Sequence, residues 1–189
     1  RDELLYHLFN AAPVAWARYL GFVEAGGYRQ RGHWSDAGWA WLQGLSLSAP
    51  RYLRAAGSRW QRQVFGRWLD VDGTLPAMNL SCHEAEAYCA WAGRRLPSEA
   101  QWERAATLAG DSLRWGEVWE WTTSVFAPYP GFIAHPYRDY SAPWFGSRRV
   151  LRGGSFATHR RMKHARYRNF FMPERNDIFA GFRTCAPHG

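Results

Sequence analysis

The chain has 189 residues, 47% hydrophobic and 21% charged, with a formal net charge of +8. That length suits one domain with a real core, and no apolar run approaches the roughly 20 residues of a membrane span. Only one of the 24 basic residues is a lysine, Lys163, and the arginines are spread from Arg1 to Arg183. No nucleic-acid-reading motif accompanies the charge, so no nucleic-acid partner is expected; a basic surface suits small anionic substrates.

In chain order, residues 3–9 read as the end of a helix belonging to an upstream unit, and Ala11-Ala12-Pro13 as the link that follows it. No signal peptide precedes Leu4-Leu5-Tyr6, so a cytoplasmic location is expected. Apolar residues at Val14, Tyr19, Leu20 and Val23 predict a helix over 14–24, stopped by Gly26-Gly27. Ser81 with Glu84, and Ser98 with Gln101, have the spacing of capping boxes, and they predict helices running to Trp91 and toward Leu108. Cys82 and Cys89, seven apart, share a face of the first of these and are expected to be buried free thiols like Cys185. Three scattered cysteines form neither a disulfide framework nor a zinc site.

Beyond Gly110 the helical pattern stops, and 118–122 and 149–151 read as short strands. Trp119 and Trp121 are expected to alternate across the first strand and to be core. Gly153-Gly154 predicts a close backbone approach or positive φ, and Arg183 an internal anchor for a carboxylate or carbonyls. Residues 128–143 hold four prolines and read as one ordered loop. Twelve tryptophans, many beside glycine as in Gly38-Trp39 and Trp115-Gly116, suggest irregular loops packed on aromatics.

Leu96-Pro97-Ser98-Glu99-Ala100-Gln101-Trp102-Glu103, Gly116-Glu117-Val118-Trp119-Glu120-Trp121-Thr122, Val150-Leu151-Arg152-Gly153-Gly154-Ser155-Phe156 and Ala180-Gly181-Phe182-Arg183 stand in that order. Together they resemble the sulfatase-modifying-factor superfamily over residues 14–186. The resemblance implies an α+β fold, the formylglycine-generating-enzyme or C-type-lectin-like fold, with little regular secondary structure. It also implies a division into residues 1–12, the tail of an upstream helical DinB-like iron-binding domain, and residues 13–189, the catalytic domain. The span 111–116 looks abbreviated relative to the family.

Formylglycine generators carry two copper-binding cysteines shortly after Arg-Gly-Gly-Ser. The matching positions are Thr158 and Lys163, neither of which ligates copper(I) as a thiolate, so formylglycine generation is not expected. Pro128-Tyr129-Pro130-Gly131-Phe132, Pro136-Tyr137-Arg138-Asp139-Tyr140-Ser141, Arg168-Asn169 and Ile178-Phe179 instead resemble the iron-dependent synthases that join a chalcogen to the imidazole of hercynine. That branch implies Fe(II) as cofactor and O2 as co-substrate. Its His-x-x-x-His-x-Glu pattern is matched here by Glu3 alone, with Arg1 in a histidine place. No pair among the seven histidines has the i, i+4 spacing, so no metal ligand is assigned in the chain itself and the ligands are expected upstream.

Chemistry at an iron-bound oxygen species needs a nearby proton or electron donor, which a phenol supplies. The resemblance implies Tyr137 as that catalytic tyrosine, with Tyr129 the second candidate and Tyr140 a substrate contact. His135 beside them is read as a hydrogen-bonding residue. Arg168-Asn169-Phe170-Phe171 lies where sulfur-transferring relatives resemble Arg-Asn-Trp-Asp. Asn169 and Phe170 keep the polar and aromatic groups expected near a trimethylammonium, whereas Phe171 lacks the carboxylate that pairs with a thiol donor's amino group. The expected function is carbon–selenium bond formation between hercynine and a selenosugar. The alternatives are an ergothioneine-type sulfoxide synthase using a cysteine-containing thiol, and a non-catalytic lectin-like binding module.

Overall fold

The computed structural model describes residues 9–187. The first helix, α1 (Trp16–Glu24), has no side-chain cap. The N–H groups of Trp16 and Ala17 instead donate to the carbonyls of Leu75 and Gly73, so a passing loop satisfies the helix start. It buries Trp16, Tyr19, Phe22 and Val23, and Gly26, at φ 77°, turns the chain away.

The next elements are α2 (Asp36–Leu45), capped by Ser35 Oγ accepting from the Gly38 N–H, and a three-stranded antiparallel sheet of β1 (Leu53–Ala56), β2 (Arg59–Val64) and β3 (Arg67–Asp70). Gly38-Trp39 lies inside α2 rather than in an irregular loop, because Ser35 and the packing of Trp39 and Trp41 on the core outweigh the weak helix propensity of glycine.

Helices α3 (Cys82–Trp91) and α4 (Glu99–Ala109) both start at complete capping boxes, Ser81 with Glu84 and Ser98 with Gln101. Glu84 is fully buried. It accepts from the Ser81 N–H at 2.7 Å and from the Tyr28 hydroxyl at 2.5 Å, and Tyr28 lies 3.0 Å from the Tyr19 hydroxyl, so the cap also ties α3 to α1. Cys82, Cys89 and Cys185 are buried free thiols.

The second sheet runs in the order β6 (Asn169–Phe171), β5 (Arg149–Arg152), β4 (Trp119–Val125), β7 (Ala180–Gly181). β4 pairs antiparallel with β5 and parallel with β7. Trp119 and Trp121 are both buried, but standing two apart they share one face of β4. The residue pointing the other way is Glu120, also fully buried. Between β4 and β5 the chain holds only two single-turn 3-10 segments, Arg138–Tyr140 and Ala142–Trp144, which agrees with the loop expected over 128–143.

Most of the helix tail expected over 3–9 lies outside the described residues. Phe9 bridges to Cys185, the Asn10 N–H donates to the Thr184 carbonyl, and the Val14 N–H donates to the Phe182 carbonyl. The stretch leading into α1 is therefore knitted to the chain's last segment. Among the described residues no helix is long and apolar enough to cross a membrane.

Candidate functional site

The loop after β4, the segment leading into β6 and β6 itself line a cavity of about 450 Å³. Four residues expected at the site, Tyr129, Tyr140, Asn169 and Phe170, line it together. Phe126, the residue just after β4, stacks on Phe170 with centroids 4.0 Å apart and planes 12° apart, which holds that wall flat. Phe145 packs on Phe126 at 4.8 Å and Phe132 on Phe145 at 5.2 Å, extending the aromatic lining along the loop.

Arg168 sets the geometry of this wall. Its guanidinium lies 4.4 Å from the Tyr129 ring centroid and 4.8 Å from that of Phe126. Glu99, in the first turn of α4, grips it at two points, Nε to Oε2 and Nη2 to Oε1, both at 2.9 Å. The same carboxylate receives Arg152 at 3.2 Å, and Arg152 also pairs with Glu103 at 2.8 Å. Arg152 is buried, and its Nη2 donates to the Tyr129 hydroxyl at 3.3 Å. The Arg-Gly-Gly-Ser arginine thus reaches Tyr129, which stands between this cavity and a neighbouring one of about 410 Å³.

Tyr137 and Phe171 are placed differently. Tyr137 is 62% exposed and does not line the cavity; its N–H donates to His135 Nδ1 at 3.1 Å, so His135 is a hydrogen-bonding residue. Phe171 packs toward the main core, with the Arg175 guanidinium 5.2 Å from its centroid. Asn169 Oδ1 accepts from the Phe170 N–H at 2.9 Å. Glu99, Phe126 and Phe145 were not foreseen as site residues. Glu99 reads from sequence as an ordinary first-turn acid, and the two phenylalanines lie in segments with no period that would mark a common face.

Thr158 and Lys163, the positions matching the generators' cysteines, are neighbours in space. A Cβ on Gly154 would sit 3.3 Å from Lys163 Cγ and 3.4 Å from Thr158 Cβ, so Gly154, at φ 80°, is where the chain must carry no side chain. Neither residue is a ligand. Thr158 Oγ1 accepts from the Ser155 N–H at 2.9 Å, and Lys163 Nζ donates to the Gly116 carbonyl at 2.8 Å, so the pair braces two loops. The three cysteines lie elsewhere, and burial raises the pKa of each thiol, which disfavours the thiolate.

The profile described as the sulfatase-modifying factor enzyme 1-like domain matches residues 6–116 and 113–187, two pieces that meet where the chain looked abbreviated. The chain belongs to this family. Family members similar to it include hercynine oxygenases from Mycolicibacterium thermoresistibile and Mycobacterium tuberculosis, each 37% identical over 92% of this chain. The formylglycine-generating enzyme of Streptomyces coelicolor is 28% identical over 82% of this chain and 68% of its own length. The chain spans about half the length of the two hercynine oxygenases, 49% and 51%. Among the described residues of this family member, no group of three His, Cys, Asp or Glu side chains could hold a metal ion. They do not by themselves fit the iron implied by the resemblance.

Proposed function

We propose that residues 13–189 are the catalytic domain of an iron- and oxygen-dependent synthase that forms a carbon–selenium bond between hercynine and a selenosugar. The observation that carries the hercynine part is the 37% identity, along 92% of the chain, to proteins named hercynine oxygenase. The Thr158–Lys163 brace supports it by occupying the generators' cysteine positions with non-ligands.

In this reading Tyr140, Asn169 and Phe170 hold hercynine, whose trimethylammonium suits aromatic faces and neutral polar groups. Arg168 already covers the faces of Phe126 and Tyr129, so the ammonium meets the remaining rings. Tyr137 is the proposed proton or electron donor, its exposed phenol open to whatever covers this face, and Tyr129 is the second candidate. The selenosugar is favoured by residue identity alone: Phe171 packs toward the core, and position 171 has no carboxylate to pair with the amino group of a thiol donor. A sulfoxide synthase using a cysteine-containing thiol is the second reading, favoured by the overall likeness to the hercynine oxygenases.

The test is to supply the full-length protein with hercynine, oxygen and Fe(II), together with either a selenosugar or gamma-glutamylcysteine, and to read the product mass. A selenium adduct from the first donor alone is expected. An adduct from the thiol alone would establish the second reading. Absence of iron binding and of oxygen consumption with either donor would leave a lectin-like binding module.

A further inference from the structure

The geometry points to Arg166 as the residue that receives the carboxylate of hercynine, which makes the cavity selective for an amino-acid betaine over a plain substituted ammonium. This rests on the hercynine reading above, which gives the ammonium to aromatic faces and leaves the carboxylate without a partner.

The first argument is which cation has donors to spare. Arg166 and Arg168 both line the cavity of about 450 Å³, and among the described residues that line it there is no aspartate or glutamate. Arg168 is spent: Nε and Nη2 go to Glu99, Nη1 and Nη2 to the Ala127 carbonyl, and its guanidinium lies on the rings of Tyr129 and Phe126. Arg166 is 85% exposed, and its contact with Glu103 Oε1 is 4.0 Å long. That is too long for a hydrogen bond, and the other oxygen of Glu103 is held by Arg152 at 2.8 Å. A guanidinium has five N–H donors and no acceptor. Arg166 therefore brings to the cavity a positive charge that no acid of its lining neutralises.

The second argument is the neighbouring amide. Asn169 uses its Oδ1 to accept from the Phe170 N–H, so its NH2, a donor, is left for a ligand. Two sets of donors thus stand beside the rings of Tyr140, Phe145 and Phe170. In an amino-acid betaine the ammonium and the carboxylate are carried by one carbon, so its site needs aromatic faces and donors close together. A planar carboxylate matches the guanidinium fork. Without the carboxylate, the same arginine repels the ammonium, so the pairing selects as well as binds.

The test is anaerobic titration of the full-length protein, with no chalcogen donor present, using hercynine and its descarboxy analogue, N,N,N-trimethylhistaminium. The parent is expected to bind hercynine at least about tenfold more tightly than the analogue, the factor of one charge-assisted hydrogen bond. Arg166→Gln is expected to weaken hercynine about tenfold while leaving the analogue within about twofold, and Arg166→Lys to restore part of the loss. Because the side chain is exposed, thermal stability is expected to stay unchanged in both variants. Equal affinity of the parent for the two ligands, hercynine binding untouched by Arg166→Gln, or equal weakening of both ligands would each overturn the role of Arg166 and leave the hercynine reading standing. Failure of the parent to bind either ligand would overturn that reading and this inference together.

Discussion

Arg183 and Glu120 form a fully buried two-point ion pair, Nε to Oε2 at 2.5 Å and Nη2 to Oε1 at 2.8 Å. Trp102 Nε1 adds a third donor to the same carboxylate at 2.8 Å. The remaining guanidinium donors reach the carbonyls of Asn10 and Arg114, so one side chain ties β4 to three other segments. Arg183→Met removes every donor but the indole and leaves a buried, half-paired charge. A loss of about 3–5 kcal/mol is expected, read by urea denaturation against the parent chain, and Glu120→Gln is expected to lose a comparable amount because it leaves the buried guanidinium unpaired and sets an amide NH2 against donors.

Gly181 faces a backbone that cannot give way. A Cβ there would lie 2.2 Å from the Ala77 carbonyl oxygen, a clash with main chain rather than with a flexible side chain. Gly181→Ala is expected to cost about 3 kcal/mol or more, measured as a fall in the denaturation midpoint. Gly32→Ala is the control for replacing a glycine without a clash, since nothing lies within 4 Å of its Cβ position and its φ is not positive.

His83 gives the fold an acid sensitivity. It is buried, its Nδ1 has no partner, and burial holds its pKa below the ordinary 6.5, outweighing the opposing attraction of Glu174; Arg149 acts in the same direction as burial. The unfolded chain therefore binds the proton more readily. The stability due to neutral His83 is complete above about pH 6.5 and is lost as pH falls through its lower folded value. His83→Phe, which keeps a ring against Trp41, is expected to flatten the pH dependence of thermal unfolding below pH 6.5; an unchanged slope would contradict this.

The Thr158–Lys163 brace predicts what restoring thiols would do. Because both residues flank the same glycine, Thr158→Cys with Lys163→Cys sets two thiolates side by side, and the double variant is expected to bind one equivalent of copper(I). Competition with a chromophoric copper(I) chelator reads this, with the parent chain binding none at that site. Losing the lysine–Gly116 bond is expected to cost about 1 kcal/mol.

For the proposed reaction, Tyr137→Phe in the full-length protein is expected to impair bond formation while leaving hercynine affinity largely intact. Rapid-quench product formation and equilibrium binding, measured side by side, separate the two. Equal loss of both would make the tyrosine structural.

The capping boxes at Ser81 and Ser98 are legible because three-residue spacing alone defines them, and the internal role of Arg183 because a C-terminal arginine beside Gly181-Phe182 needs acceptors. β1–β3 were not foreseen. Apart from the buried Leu53, their residues are half-buried or exposed, so no apolar alternation marks them. Part of the candidate site shows the same limit: Tyr129, Tyr140, Asn169 and Phe170 could be named from motifs, but Glu99, 69 residues before the Arg168 that it clamps, could not.

By itself the sequence determined the family, the capped helices, the missing cysteine pair and the tyrosine-bearing loop, because these rest on residue identity and short spacing. Only the tertiary structure decided that Thr158 and Lys163 stand together as a brace, that Phe170 faces the cavity while Phe171 packs toward the core, and that Arg152, Glu99 and Arg168 form one network behind Tyr129. Those relations depend on contacts between residues far apart in the chain, such as Glu99 with Arg168 and Lys163 with Gly116. They arise only when helix, loop and sheet close on a common core, so no local pattern records them.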